Sequence, residues 1–171
     1  MTARTLVLLR HAKAETPGEQ LDIERALAER GRADAQAAGV WLAAQGLRPQ
    51  VVLSSPATRT RQTWHGVAIG LAESDPAVAA PDVRYENGLY FGGRTEVVDL
   101  LRAVPESVRT VLVIGHNPTM TDVSLLLRPF QEDAALEGLK TCGIAVHRAE
   151  RAWSETEPGA LPLVTLHTAR A

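Results

Sequence analysis

Apolar positions along the chain fall into two recurring patterns. The first is a short continuous run closed by polar residues: TLVLLRHA from Thr5, VVLSS from Val51, RTVLVIG from Arg109, GIAVHRAE from Gly143 and PLVTLHTA from Pro162. Runs of this kind suit strands buried on both faces of a sheet. VRYENGLY from Val83 adds a shorter strand or extended edge, with a turn expected at Asn87-Gly88. The second pattern is helical. Residues 24–46 are alanine-rich and place Ala37, Val40, Trp41 and Ala44 on one apolar face, with Gly31 and Gly39 as weak points in the early part and Gly46 as a stop. Helices are also expected over 57–72, behind Pro56, over 96–104 and over 119–127. Residues 14–22 read as a loop, 74–82 as a Pro/Ala-rich link, and the polar stretch from 128 to 141 carries no clear element.

Strands alternating with helices predict an α/β fold, a three-layer α/β/α sandwich with a mostly parallel central sheet. The last two strands leave a hairpin or edge arrangement open. A length of 171 residues and 18.4 kDa suits a single catalytic domain over 1–171. In open sheets of this class ligands bind beyond the carboxyl ends of the strands, so the chemistry is sought there.

Composition narrows the partners. With 45% hydrophobic and 22% charged residues the chain is neither disordered nor a disulfide-stapled miniature. A formal charge of -2 gives no support to a general nucleic-acid binder held by a basic surface. Cys142 is the single cysteine, so no internal disulfide or CxxC site exists, and a cytoplasmic setting is expected. The run Leu6 to Leu9 is too short for a signal-peptide core, and no run reaches the roughly 18 apolar residues of a membrane span. Neither GxGxxG, GxxxxGK[ST] nor HExxH is present, so no cofactor and no metal are expected.

Two strand ends each present a histidine, in LLRHAKAE and VIGHNPTM. Between them SSPATRTRQT puts Arg59 and Arg61 past a third strand end, and RYENGLY puts Glu86 past a fourth. An imidazole is a nucleophile when one ring nitrogen is free and the other donates a hydrogen bond. Arginines beside it would bind the oxygens of a phosphoryl group, and a carboxyl would supply a proton to the leaving atom.

Taken in order, these motifs resemble the histidine phosphatase superfamily, in the branch of SixA-type phosphohistidine phosphatases. Arg10-His11 resembles the family's Arg-His motif, with Ala12 where the family usually has glycine; Arg59 matches its phosphate-pocket arginine, and His116 in IGHNP its second histidine. The resemblance implies that His11 attacks phosphorus and becomes a transient phosphohistidine, while Arg10, Arg59 and a protonated His116 hold the phosphoryl oxygens. Glu86 would be the proton donor, with Glu96 a competing acid and Asp22 a remoter one. Asn117 and Lys13 are possible substrate contacts, whereas Arg61 reads as a helix-surface arginine.

The implied activity is metal-independent hydrolysis of phosphohistidine on a protein partner. A small-molecule phosphate ester is the alternative substrate, and a noncatalytic phosphate-binding module the alternative class. His65, His147 and His167, Trp41, Trp64 and Trp153, and Cys142 read as packing or surface residues. Nothing in the sequence fixes the oligomeric state.

Overall fold

The computed structural model describes residues 3–129 and 138–171, so most of the unassigned polar stretch lies outside the described residues. Six strands form one sheet: β1 (Arg4–Arg10), β2 (Val51–Ser54), β3 (Asp82–Tyr85), β4 (Thr110–Gly115), β5 (Gly143–Ala149) and β6 (Leu163–Thr168). Their order is β3-β2-β4-β1-β5-β6. The first four are mutually parallel, β5 pairs antiparallel with β1, and β6 pairs antiparallel with β5, which settles the arrangement of the final pair.

The apolar runs are double-faced, as expected for a covered parallel sheet. Leu6, Leu8, Val111 and Val113 join one core, and Val7, Leu9, Leu112 and Ile114 the other. The first core is closed by α4 (Arg94–Arg102) and α5 (Thr119–Leu127), the second by α1 (Glu29–Ala44) and α2 (Thr58–Ser74). The three layers of the α/β/α sandwich are therefore present.

The turn expected at Asn87-Gly88 is present, with the Leu89 amide donating to the Glu86 carbonyl at 3.0 Å, and it runs on into a one-turn helix, α3 (Gly88–Phe91). One local expectation is corrected. The buried face of α1 is not Ala37, Val40, Trp41 and Ala44, since Val40 is exposed; it is Gly31, Asp34, Ala35, Ala38, Gly39 and Leu42. The reason is the close crossing of α1 and α2. A Cβ on Gly39 would stand 2.1 Å from the Val67 carbonyl, and one on Gly70 2.2 Å from the Gln36 carbonyl. Small residues face the partner here, and the larger apolar side chains lie to one side. Gly39 therefore serves packing without interrupting the helix.

Candidate active site

Parallel pairing builds the site. In the β1–β4 pair Arg10 stands opposite Gly115, and the His11 amide donates to the Gly115 carbonyl at 3.0 Å. His11 and His116, far apart in sequence, thus leave the sheet side by side, with ring centroids 5.3 Å apart. On the other flank of β4, the Ser55 amide donates to the Ile114 carbonyl at 3.0 Å, bringing Ser55 and the first turn of α2 with Arg59 to the same end. Antiparallel β5 begins here, and the Cys142 amide donates to the His11 carbonyl at 3.1 Å. Cys142 itself is buried and sits at φ 57°.

These ends enclose a polar cavity of about 290 Å³ lined by Arg10, His11, Lys13, Ala14, Arg25, Arg59, His116, Asn117 and Thr141. A larger one, about 360 Å³ between Pro49, Trp64 and Val83, contains no titratable side chain. The polar cavity is thus where the sequence candidates other than Glu86 meet.

His11 is only 8% exposed, and its Nδ1 lies 2.7 Å from the Ala12 carbonyl. A carbonyl only accepts, so Nδ1 carries the proton and Nε2 of the neutral ring keeps its lone pair. Alanine at position 12 suits this turn without strain. Cys142 is the one non-glycine with positive φ among the described residues, and the Ala12 amide donates to Thr63 Oγ1 at 3.1 Å.

Burial pushes the His11 pKa down to about 4, with Arg59 and Arg10 adding to the effect against the opposing Ala12 hydrogen bond. Burial, then the Arg59 charge and His11, pushes His116 down to about 3. In the ligand-free protein the His116 ring is therefore neutral at neutral pH. Its Nε2 is 2.8 Å from Ser55 Oγ.

Arg59, 6% exposed, donates from Nη1 to the Asp22 carbonyl at 2.8 Å and from Nη2 to Asp22 Oδ2 at 3.1 Å. Arg25 Nη2 reaches Asp22 Oδ1 at 3.3 Å, and the Tyr90 hydroxyl donates to Oδ2 at 2.7 Å. One carboxylate thus orients two guanidiniums. Arg10 is fixed from the other side, donating to the Leu139 carbonyl at 3.0 Å.

Among the described residues, buried side-chain nitrogens without a hydrogen-bond partner are Nε of Arg10, Arg25, Arg59 and Arg128 and Nδ1 of His116. All but Arg128 belong to this one cavity. Leaving buried donors unmade is costly, and an anion with several acceptor oxygens would satisfy them.

The acids separate clearly. The Tyr90 hydroxyl, then Arg59 and Arg25, holds the Asp22 carboxyl well below the usual carboxylate range, so it is ionised and does not donate a proton. Glu96 Oε2 accepts the Gly93 amide at 2.8 Å and caps α4. Glu86 follows β3, its amide bonded to the Ser54 carbonyl at 2.8 Å; it stands at the active end of the sheet but outside the cavity lining.

Lys13 lines the cavity, and Asn117 does so while its Nδ2 donates to the Leu139 carbonyl at 2.8 Å and its Oδ1 accepts from Thr121. Arg61 lies on the surface with its guanidinium 4.0 Å over the Tyr85 ring. His147, also buried, bonds Ser124 and the Leu161 carbonyl, and His167 stacks on Trp41. Arg25, Ser55, Tyr90 and Thr141 were not distinguished by the sequence.

The buried neutral rings predict a pH effect. For His11, His116 and His147 the folded pKa lies at about 4, 3 and 4, below the ordinary 6.5. The unfolded chain binds more protons in that interval, so this contribution to stability is complete above pH 6.5 and is lost as pH falls towards 4. Thermal midpoints should drop between pH 7 and pH 5; an unchanged midpoint would contradict burial in the neutral form.

A model of the histidine phosphatase superfamily (branch 1) matches residues 6–84. The chain is 38% identical over 168 residues to an uncharacterized protein of Mycobacterium tuberculosis, covering 95% of this chain and 100% of that one. The SixA protein of Nakamurella multipartitia superposes with a TM-score of 0.87 at 32% identity, over 100% of this chain and 99% of that one. For the SixA protein of Agrobacterium tumefaciens the TM-score is 0.76 at 28% identity, over 96% and 97%. The chain belongs to the histidine phosphatase superfamily as a SixA-like phosphatase.

Proposed function

We propose that the protein is a metal-independent phosphatase that works through phosphohistidine at His11 and removes phosphate from phosphohistidine on a protein, with residues 1–171 acting as one catalytic domain in the cytoplasm. The observation that carries this reading is the unprotonated Nε2 of His11 in a cavity whose other residues hold four buried, unpartnered N–H or ring-nitrogen groups. His11 Nε2 attacks phosphorus as the bond to the leaving atom breaks, and the leaving atom takes a proton. The Nδ1–H bond to the Ala12 carbonyl stabilises the positive charge that develops on the ring. Water then attacks the phosphohistidine, gives up a proton and releases phosphate, restoring the neutral ring.

Arg10, Arg25 and Arg59 bind the phosphoryl oxygens with forked donors, and their charge offsets that of the transferring group. His116 donates from Nδ1 when the Ser55 hydroxyl supplies the hydrogen to Nε2, so a neutral ring still contributes a hydrogen bond. The binding groups are all protein side chains, and among the described residues no three His, Cys, Asp or Glu side chains gather as a metal site. Chelation should leave turnover unchanged, and vanadate should inhibit by adopting the trigonal geometry of transfer. Loss of activity on chelation would overturn the mechanism. A panel of histidine-phosphorylated protein, phosphoramidate and metabolite phosphomonoesters tests the substrate: higher kcat/KM on the protein supports the reading, and preference for one metabolite overturns it.

Glu86 is proposed as the proton donor to an ester leaving group. Glu86→Gln should slow poor leaving groups by about 10²-fold or more while sparing an activated aryl ester. Equal slowing across leaving groups would refute this role.

A further inference from the structure

Among the exposed large hydrophobic side chains of the described residues, Phe91 at 76% and Leu21 at 66% are the most open to solvent. Both adjoin, in the chain, residues that hold the active site. Leu21 precedes Asp22 and Phe91 follows Tyr90, and Asp22 and Tyr90 are joined by the 2.7 Å hydrogen bond that also fixes Arg59. The Tyr90 ring packs edge-on against His116 with centroids 5.5 Å apart and edge-on against Phe91 at 4.9 Å. Two exposed apolar side chains are therefore held next to a cavity lined mainly by cationic and polar groups.

Isolated exposed hydrophobics are ordinary, but these two are the chain neighbours of Asp22 and Tyr90, the residues of one hydrogen-bonded bridge to Arg59. The cavity, about 290 Å³, is at the small end of ligand sites and is supplied with charge for a phosphoryl group. A sugar would set its hydroxyls against Leu21 and Phe91. A polypeptide that inserts only its phosphorylated side chain would instead lay the neighbouring residues over them. From this geometry we infer that Leu21 and Phe91 form a docking rim for a polypeptide substrate carrying apolar side chains next to its phosphohistidine. The inference rests on the phosphohistidine-protein reading above and adds which partner chemistry is selected.

The occupant is a transient substrate, so the contact area is small and a few apolar anchors carry the selection. The rim does not touch the reacting atoms, so its contribution should appear in KM for the polypeptide and be absent for phosphoramidate, which is too small to reach beyond the cavity.

The test uses the full chain and two peptides that differ only next to phosphohistidine, with leucine in one and serine in the other. Wild type should favour the leucine peptide by at least about fivefold in kcat/KM, through KM. The double variant Leu21→Ser/Phe91→Ser should lose that preference while keeping wild-type rates on the serine peptide and on phosphoramidate. Retained preference in the variant, or none in wild type, overturns the docking rim. An equal loss on octyl phosphate would reassign the rim to apolar small esters and overturn the polypeptide assignment. Cleavage of phosphoramidate but of neither peptide would overturn the phosphohistidine-protein reading itself, and the rim with it.

Discussion

Replacing His11 with alanine should lower turnover by at least about four orders of magnitude, since removal of a covalent nucleophile leaves only binding and electrostatic assistance to attack by water. The structure makes the loss specific. His11 is the ring whose Nδ1 is committed to the Ala12 carbonyl, so its Nε2 is the free nucleophilic atom. His116 has the reverse arrangement, with Nε2 held by Ser55 Oγ and Nδ1 buried without a partner. It should therefore not inherit the phosphoryl group in the His11→Ala protein. Circular dichroism and a retained thermal transition would show that the fold survives. Phosphate release at the wild-type rate by the variant would remove His11 from the mechanism.

The second large effect is expected at Arg59. Its guanidinium is nearly buried and donates to both the carbonyl and a carboxylate oxygen of Asp22, while its Nε is buried without a partner. Arg59→Lys keeps the charge and loses the fork, so kcat should fall by about 10²- to 10³-fold, as when an oriented donor to the transition state is removed. Part of such a loss could come from releasing Asp22, and Asp22→Ala separates the two causes. If Arg59 acts directly on the phosphoryl oxygens, Asp22→Ala should be markedly milder than Arg59→Lys. Equal defects would make Arg59 a positioning residue, and wild-type turnover in Arg59→Lys would reject the clamp.

What was legible in the sequence follows from how parallel sheets place chemistry. Arg10, His11 and His116 each close an apolar run, and Arg59 opens the helix after another, so local pattern alone put them at one sheet end. Their adjacency required only that β1, β2 and β4 pair, which the buried runs suggested. Arg25 was hidden because it lies in a charged, alanine-rich stretch where an arginine on a helix surface is commonplace; in the structure that helix starts only at Glu29, and Arg25 lines the cavity.

Asp22 was considered as an acid, yet its role depends on Tyr90 and Arg59 arriving from α3 and α2. Ser55 was one of two adjacent serines, and only the Ser55–Ile114 pairing shows which one meets His116. The buried face of α1 was misread for a related reason: a pattern search weights Val40 and Trp41, whereas a close helix crossing selects Gly39 and Ala35. Glu86 remains defined by its strand end more than by contacts, which is why its leaving-group test matters.

The covalent step is the centre of the account, and rapid-quench trapping tests it most directly. Enzyme mixed with a phosphoryl-labelled substrate, stopped in alkali within one turnover and digested, should yield a single labelled peptide containing His11. The phosphoryl group should be on Nε2, be lost in acid and be absent from the His11→Ala protein. Rapid turnover with no labelled histidine at any quench time, or a label on His116, would contradict the mechanism.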